Sequence, residues 1–167
     1  MATLIKAKYV WADGTFTIVN VDLSQKVSKY FTVGEVANQS AKDDIKYVST
    51  PRHRKFLRMM DDMREKFGPI SPSSCYRTES FNKSLKGADP KSAHLRGEAM
   101  DNPIKTVTNQ MRTDRRKYWE YLCIKNREIG AINLYTKGFH YEIGSDISYG
   151  ASTFSVRDYR GTANDWV

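Results

Sequence analysis

Apolar and polar positions along the chain change period several times, and each change marks an element. Between positions 3 and 21, β-branched and aromatic residues lie on both sides of Ala12-Asp13-Gly14. That tripeptide is a turn signal, so the segment predicts a β-hairpin. Beyond Asp22 the composition becomes polar, and Thr32-Val33-Gly34-Glu35 has the spacing of a capping box. A threonine hydroxyl and a glutamate three residues later satisfy free amides reciprocally, which predicts a short helix. From Pro51 the period becomes helical: Phe56, Met59, Met60, Met63 and Phe67 share one face, and Gly68-Pro69 stops the run. At this spacing the methionines read as core packing rather than a ligand surface. His53, in the first turn, reads as exposed.

Ile70 to Tyr76 predicts a short strand, Phe81 and Leu85 a helical turn, and 87–91 a loop. A second long helix is expected over about 106–125, burying Val107, Met111, Tyr118 and Leu122, with Trp119 widening that face. Two strands follow, Ile129–Tyr135 and Phe139–Ile143, around a turn at Thr136-Lys137-Gly138. Side chains alternate across a strand, so Phe139, Tyr141 and Ile143 share one face while His140 and Glu142 share the other. Burying the aromatic face therefore presents a histidine and a carboxylate side by side. Ser145 to Val167 is rich in Gly, Ser, Asp and Arg and reads as an irregular wrap ending in Trp166. No repeat or linker interrupts the pattern, so one domain is expected over 1–167, with the hairpin at about 1–22 as an N-terminal extension.

Composition narrows the setting. With 167 residues, 40% hydrophobic and 28% charged, the chain has the balance of a water-soluble globular domain. No run approaches the roughly 20 apolar residues that span a bilayer, so no membrane insertion is expected. Met1 to Tyr9 lacks the apolar stretch of a secretion signal, so no export signal is expected either. Cys75 and Cys123 match no metal or redox spacing and read as buried or half-exposed thiols, with nothing arguing for a disulfide. A net charge of +8 calls for a partner that is acidic over a large area: nucleic acid, an anionic membrane surface or a bacterial wall. The denser patch at Arg112, Arg115, Arg116 and Lys117 reads as a solvated helix face. No nucleic-acid motif accompanies it, so nucleic acid is not the expected partner.

The run Ser92 to Asp101 carries the chemistry. His94 and Asp101 stand seven apart with Gly97 and Ala99 between them, a pattern that allows a turn leading into a strand and brings both side chains to one point. Zinc accepts imidazole nitrogen and carboxylate oxygen together, and a catalytic zinc needs three protein ligands plus an open position. His94, Asp101 and His140 would supply those three, holding one Zn2+ per chain. Glu98, inside the run, reads as solvent-facing.

At these residues the chain resembles the zinc D-Ala-D-Ala metallopeptidase superfamily, which includes wall-cutting carboxypeptidases, dipeptidases, endopeptidases and many phage lysins. Ser92 to Asp101 fits the pattern Ser-x-His-x-x-Gly-x-Ala-x-Asp, and Phe139-His140-Tyr141-Glu142 follows some forty residues later. The likeness also takes in Phe31-Thr32-Val33-Gly34-Glu35 and Phe67-Gly68-Pro69-Ile70. Ser74-Cys75-Tyr76-Arg77 looks like the family's Ser-Gly-Tyr-Arg stretch with cysteine for glycine. The resemblance covers roughly 28–167.

What the resemblance implies is an α+β fold of the Hedgehog/DD-peptidase-like zinc type, a small antiparallel sheet carrying the metal on one face with helices packed on the other. It implies zinc ligation by His94, Asp101 and His140, and Arg77 as the group that binds a substrate carboxylate or oxyanion. Many members carry a catalytic acid three residues before the last histidine, where this chain has Lys137; another branch has the acid two residues after it, where this chain has Glu142. Glu142 is thus the expected catalytic residue, taking a proton from zinc-activated water or orienting a ligand. The implied function is hydrolysis of peptide bonds in peptidoglycan, in a stem peptide or a cross-link, by a phage-encoded or virion-associated enzyme. Such a protein would wait in the host cytoplasm before release to the wall, or ride in the virion. The rival is a catalytically inactive zinc-binding structural or wall-binding module of a virion.

Overall fold

The computed structural model describes residues 2–37, 41–144 and 154–162. The hairpin forms as expected: β1 (Leu4–Val10) pairs antiparallel with β2 (Phe16–Asp22) around Gly14 at φ 85°. Its other edge takes β3 (Tyr47–Ser49) in parallel, so β1 is the middle strand of three. Inward-facing Ala7, Val21 and Tyr47 join the main hydrophobic core. The capping box is present at α1 (Val33–Val36), where Thr32 and Glu35 bond reciprocally.

Helix α2 (Pro51–Phe67) starts where the Thr50 hydroxyl accepts the His53 amide at 3.0 Å and Pro51 occupies the first turn. It stops at Gly68, whose φ of 85° suits a residue without a side chain. Phe56, Met59, Met60 and Met63 are all buried, as the spacing requires. A short helix α3 (Glu79–Ser84) follows, capped by Thr78. The strand expected over Ile70–Tyr76 does not form. Pro72 lacks an amide hydrogen to give a ladder, and the segment makes only isolated bridges, Ser74 to Asp101 and Tyr76 to Ala37.

The second sheet has the order β4-β6-β5-β7, from β4 (Ala99–Pro103), β5 (Gly130–Tyr135), β6 (Gly138–Ile143) and β7 (Phe154–Asp158). The α+β expectation holds, but the sheet is mixed rather than antiparallel, because β7 runs parallel to β5. β7 also corrects the reading of the C-terminal stretch as wholly irregular; residues 145–153 and 163–167, Trp166 among them, lie outside the described residues.

Helix α4 (Asn109–Asn126) packs on the sheet face that carries Met100, Ile132, Phe139 and Tyr141. Trp119 is its anchor, edge-on to Phe56 of α2 at 5.9 Å and to Tyr141 at 5.4 Å, with its indole N–H donating to the Ala131 carbonyl at 3.0 Å. Of the residues expected on the buried face, Leu122 is fully buried, whereas Val107, Met111 and Tyr118 are only partly so. The buried stripe is Arg115, Trp119, Leu122 and Cys123. Arg115 is therefore not on a solvated face. Its guanidinium lies over the rings of Phe67 and Phe139 and donates to the Tyr141 hydroxyl at 3.1 Å, so an aromatic box accommodates the charge. Both cysteines are free and buried, Cys123 so close to Gly130 that a Cβ there would lie 2.2 Å from its sulfur.

Candidate metal centre

Register places the site. Asp101 on β4 stands opposite His140 on β6, so both side chains leave the sheet on the face away from α4. His94 arrives from a single 3-10 turn, Ala93–Arg96, opened by the Ser92 hydroxyl and closed by Gly97 in the left-handed region at φ 67°. The geometry at Gly97 explains why the run needs glycine there. A Cβ would meet the ring of His53 at 2.4 Å, quite apart from the backbone conformation.

The three ligand atoms of His94, Asp101 and His140 lie within 4.8 Å of one another and could hold a metal ion. His94 Nδ1 lies 2.7 Å from the Cys75 carbonyl, a contact that requires the proton on Nδ1. Its Nε2 lone pair then faces Asp101 Oδ2 at 3.3 Å. Burial keeps His94 on the neutral side, lowering its pKa although Asp101 works to raise it. A lone pair aimed at a carboxylate oxygen is unfavourable unless a cation lies between them, so the donor set fits a divalent metal. His140 presents Nδ1 to Asp101 Oδ1 at 2.8 Å and Nε2 to Glu142 Oε2 at 2.9 Å. Histidine ligands are typically oriented by such a carboxylate on the far nitrogen.

The charges are strongly coupled. Burial opposes ionisation of Asp101, but the two imidazoles more than offset it and hold the carboxyl well below its ordinary range. Burial would lower His140, yet the carboxylates of Asp101 and Glu142 push it up to about 9. Glu142 likewise resists burial through His140 and Arg157 and stays below the usual carboxylate value.

Arg77 donates to Asp101 Oδ2 at 2.8 Å and to Ser74 Oγ at 2.7 Å, so it is joined directly to the ligand carboxylate. Lys137 is exposed in the β5–β6 turn. Two expectations fail close to the site. His53 is fully buried, with Tyr47 Oη 2.8 Å from Nε2 and the Gly97 carbonyl against Nδ1, because the metal loop folds back over the start of α2. Glu98 is buried rather than solvent-facing, paired with Arg96 at 2.9 Å and close to Arg52 at 3.7 Å. Sequence reasoning also passed over the Cys75 carbonyl, a backbone group without a residue signature. It missed Asn133 too, whose signal was a polar residue inside the apolar run of β5.

A family model described as Peptidase M15 matches residues 29–130. The chain belongs to this peptidase family. Its members are zinc-dependent metallopeptidases, and the buried imidazole and carboxylate group suits such an enzyme. The matched stretch contains His94, Asp101 and Arg77 but ends before His140, which the strand register brings to the group, and before Glu142, which bonds to His140. Searches of curated proteins and of solved structures returned no match. Among the described residues no helix is long and apolar enough to cross a membrane.

Proposed function

We propose that the chain is a zinc-dependent peptidase that hydrolyses peptide bonds of bacterial peptidoglycan, in a stem peptide or a cross-link, with His94, Asp101 and His140 holding one zinc ion. The observation that carries this reading is the convergence of two imidazoles on one buried carboxylate, in the register of a family of zinc peptidases. A zinc ion bound there would supply Lewis acidity and activate water near neutral pH.

The chain's own residues do the rest. The Cys75 carbonyl fixes the His94 tautomer, and Glu142 holds the ring of His140. Glu142 is also the carboxylate we assign to receive the proton from water and then, as the acid, to pass it to the leaving amine. Arg77 steadies Asp101 and offers its remaining donors to a substrate carboxylate or oxyanion. In this reading residues 1–167 act as one domain with a Hedgehog/DD-peptidase-like zinc fold. The cationic surface suits the acidic wall. A phage-encoded lysin or a virion-borne hydrolase is the setting we propose.

The test joins metal content to wall chemistry. Elemental analysis of wild type and His94→Ala should find about one zinc per chain in the first and almost none in the second. Purified wild-type protein should release new amines from peptidoglycan, and a chelator should stop it. Zinc bound without any release of amines would instead favour the inactive virion module.

A further inference from the structure

The two sheets have four outer strands, and three of them are shielded. Along β4 the Ser73 amide donates to the Asp101 carbonyl at 3.0 Å and the Asp101 amide to the Ser74 carbonyl at 2.8 Å, and Pro103 ends the strand. β3 is three residues long, and its Ser49 carbonyl accepts from Arg54 at 3.0 Å. β7 is five residues long and carries Arg157 and Asp158. Covering loops, short length, charge and proline are the devices that keep sheet edges from joining. β2 has none of them. Its seven residues, Phe16-Thr17-Ile18-Val19-Asn20-Val21-Asp22, hold no proline and no charge before Asp22, and they pair with β1 without a bulge. Among the described residues no strand lies on its other side.

Hydrogen bonding decides which backbone groups of β2 face outward. The Trp11 amide donates to the Thr15 carbonyl at 2.8 Å and the Leu23 amide to the Thr3 carbonyl at 3.1 Å, so the odd-numbered residues of β2 bond to β1. The Lys6 carbonyl, opposite Asn20, instead accepts the Lys46 amide on the far side of β1. Phe16, Ile18 and Asn20 therefore aim N–H and C=O away from the sheet. Beside these groups the surface is apolar: Phe16 is 55% exposed, Ile18 50% and Val19 38%. With Leu4 and Trp11, the hairpin holds five of the nine exposed large hydrophobic residues among those described, a concentration that marks an interaction surface.

We propose that β2 is the pairing edge for a second copy of this chain, joined antiparallel about a two-fold axis at Val19, so that two three-stranded sheets become one of six. That axis sets Ile18 opposite the partner's Asn20, matching outward N–H and C=O groups on both. It sets Val19 opposite the partner's Val19, in the closer kind of pair that lacks hydrogen bonds. Phe16 then faces the partner's Asp22. The Lys8 ammonium already lies over the Phe16 ring, 4.1 Å from its centre, so the one carboxylate of the strand meets a cation at both ends of the seam. Self-pairing is thereby complementary in hydrogen bonds, apolar surface and charge at once. A seam of one strand from each copy is smaller than the roughly 1,200 Å² of a tight complex, so a dissociation constant on the order of 10–100 µM is expected. Two metal centres in one particle would lengthen its stay on a repeating polymer such as the wall. That consequence rests on the hydrolase reading, but the pairing does not.

Sedimentation equilibrium of the full chain, from about 1 to 500 µM in about 0.15 M salt, should show the average mass rising from one chain toward two. Ile18→Pro removes an outward amide and no bond to β1, and Ile18→Lys places a charge in the seam. Each should weaken association by at least about 10-fold, with circular dichroism and zinc content as in wild type. Cross-linking reads the register. Mild oxidation of Val19→Cys should give a disulfide-linked dimer, since facing Cα atoms about 4.5 Å apart lie within disulfide reach, whereas Asn20→Cys, exposed but not facing itself, should not. Cys75 and Cys123 are buried and do not compete. A chain that stays monomeric throughout, association that survives both Ile18 variants, or cross-linking as ready through position 20 as through position 19 overturns the proposal. A dimer without any cleavage of peptidoglycan would sink the hydrolase reading and leave the pairing standing; cleavage by a strict monomer would do the reverse.

Discussion

The two faces of the β4-β6-β5-β7 sheet are built from alternate residues of the same strands, yet they obey opposite rules. On one face Met100, Ile132, Phe139 and Tyr141 are fully buried against α4 and α2, and the single charge among them, Arg115, is boxed by aromatic rings. On the other, Asp101, His140, Glu142 and Asn133 are largely buried but polar, and His140 bonds to both Asp101 and Glu142. Burial therefore does different things on the two sides. Against the helices it stabilises the fold, each large side chain contributing about 1.5–3 kcal/mol. At His94 it holds the imidazole neutral; at Asp101 it opposes ionisation, and the two imidazoles more than offset it, so both groups reach the states a metal requires.

Substitutions on the two faces should separate accordingly. The largest effect is expected from His94→Ala, which should take metal content and peptide hydrolysis to background while circular dichroism reports an intact fold. A collapsed fold in that variant would mean the two faces are not independent. Phe56→Ala, on the packing side, should lower unfolding free energy by about 3–5 kcal/mol in urea melts, yet the folded fraction should keep its zinc.

His53 joins the two regions, and its effect reads out with pH. Burial pulls its pKa down to about 4, below the unfolded value near 6.5. The unfolded chain then binds the extra proton first, so the contribution to stability is complete above about pH 6.5 and is lost as pH falls toward 4. Between about pH 7 and 4.5 wild type should lose about 2 kcal/mol more than His53→Gln, by paired urea melts. Parallel losses in the two proteins would show that His53 is not held neutral. The smallest effect on zinc binding is expected from Glu142→Gln. The amide oxygen can still accept from His140, so metal affinity should fall by no more than about 10–100-fold. The fall in kcat should be far larger than the fall in zinc affinity, and equal falls would remove the proton transfer from Glu142.

Much of this was legible in the chain. The spacing of Phe56, Met59, Met60 and Met63 announced α2, and alternation in Phe139–Ile143 put His140 and Glu142 on one side before any coordinates. His94, Asp101 and His140 were legible as a group because the pattern of Ser92 to Asp101, followed by Phe139-His140-Tyr141-Glu142, resembles that of the zinc D-Ala-D-Ala metallopeptidases. The errors share a cause. His53, Glu98 and Arg115 were read as solvated because charged or titratable side chains usually are. Each is buried by a partner distant in sequence: Gly97 for His53, Arg52 for Glu98, Phe139 for Arg115. Pro72 could have warned against the strand at Ile70–Tyr76, since a missing amide hydrogen is a local property.

Local chemistry, written in the order of residues, determined the helices α2 and α4, the hairpins, the capping box and the identity of the ligand group. Periodicity and hydrogen-bonding capacity act over a few residues and need no partner elsewhere. Only the tertiary structure decided that β7 returns parallel to β5, that Arg77 reaches Asp101, that the Cys75 carbonyl sets the tautomer of His94, and that Asn133 and Arg157 stand in line with the ligands. These depend on which strands become neighbours and in what register, and a shift of one residue would turn every one of those side chains to the opposite face.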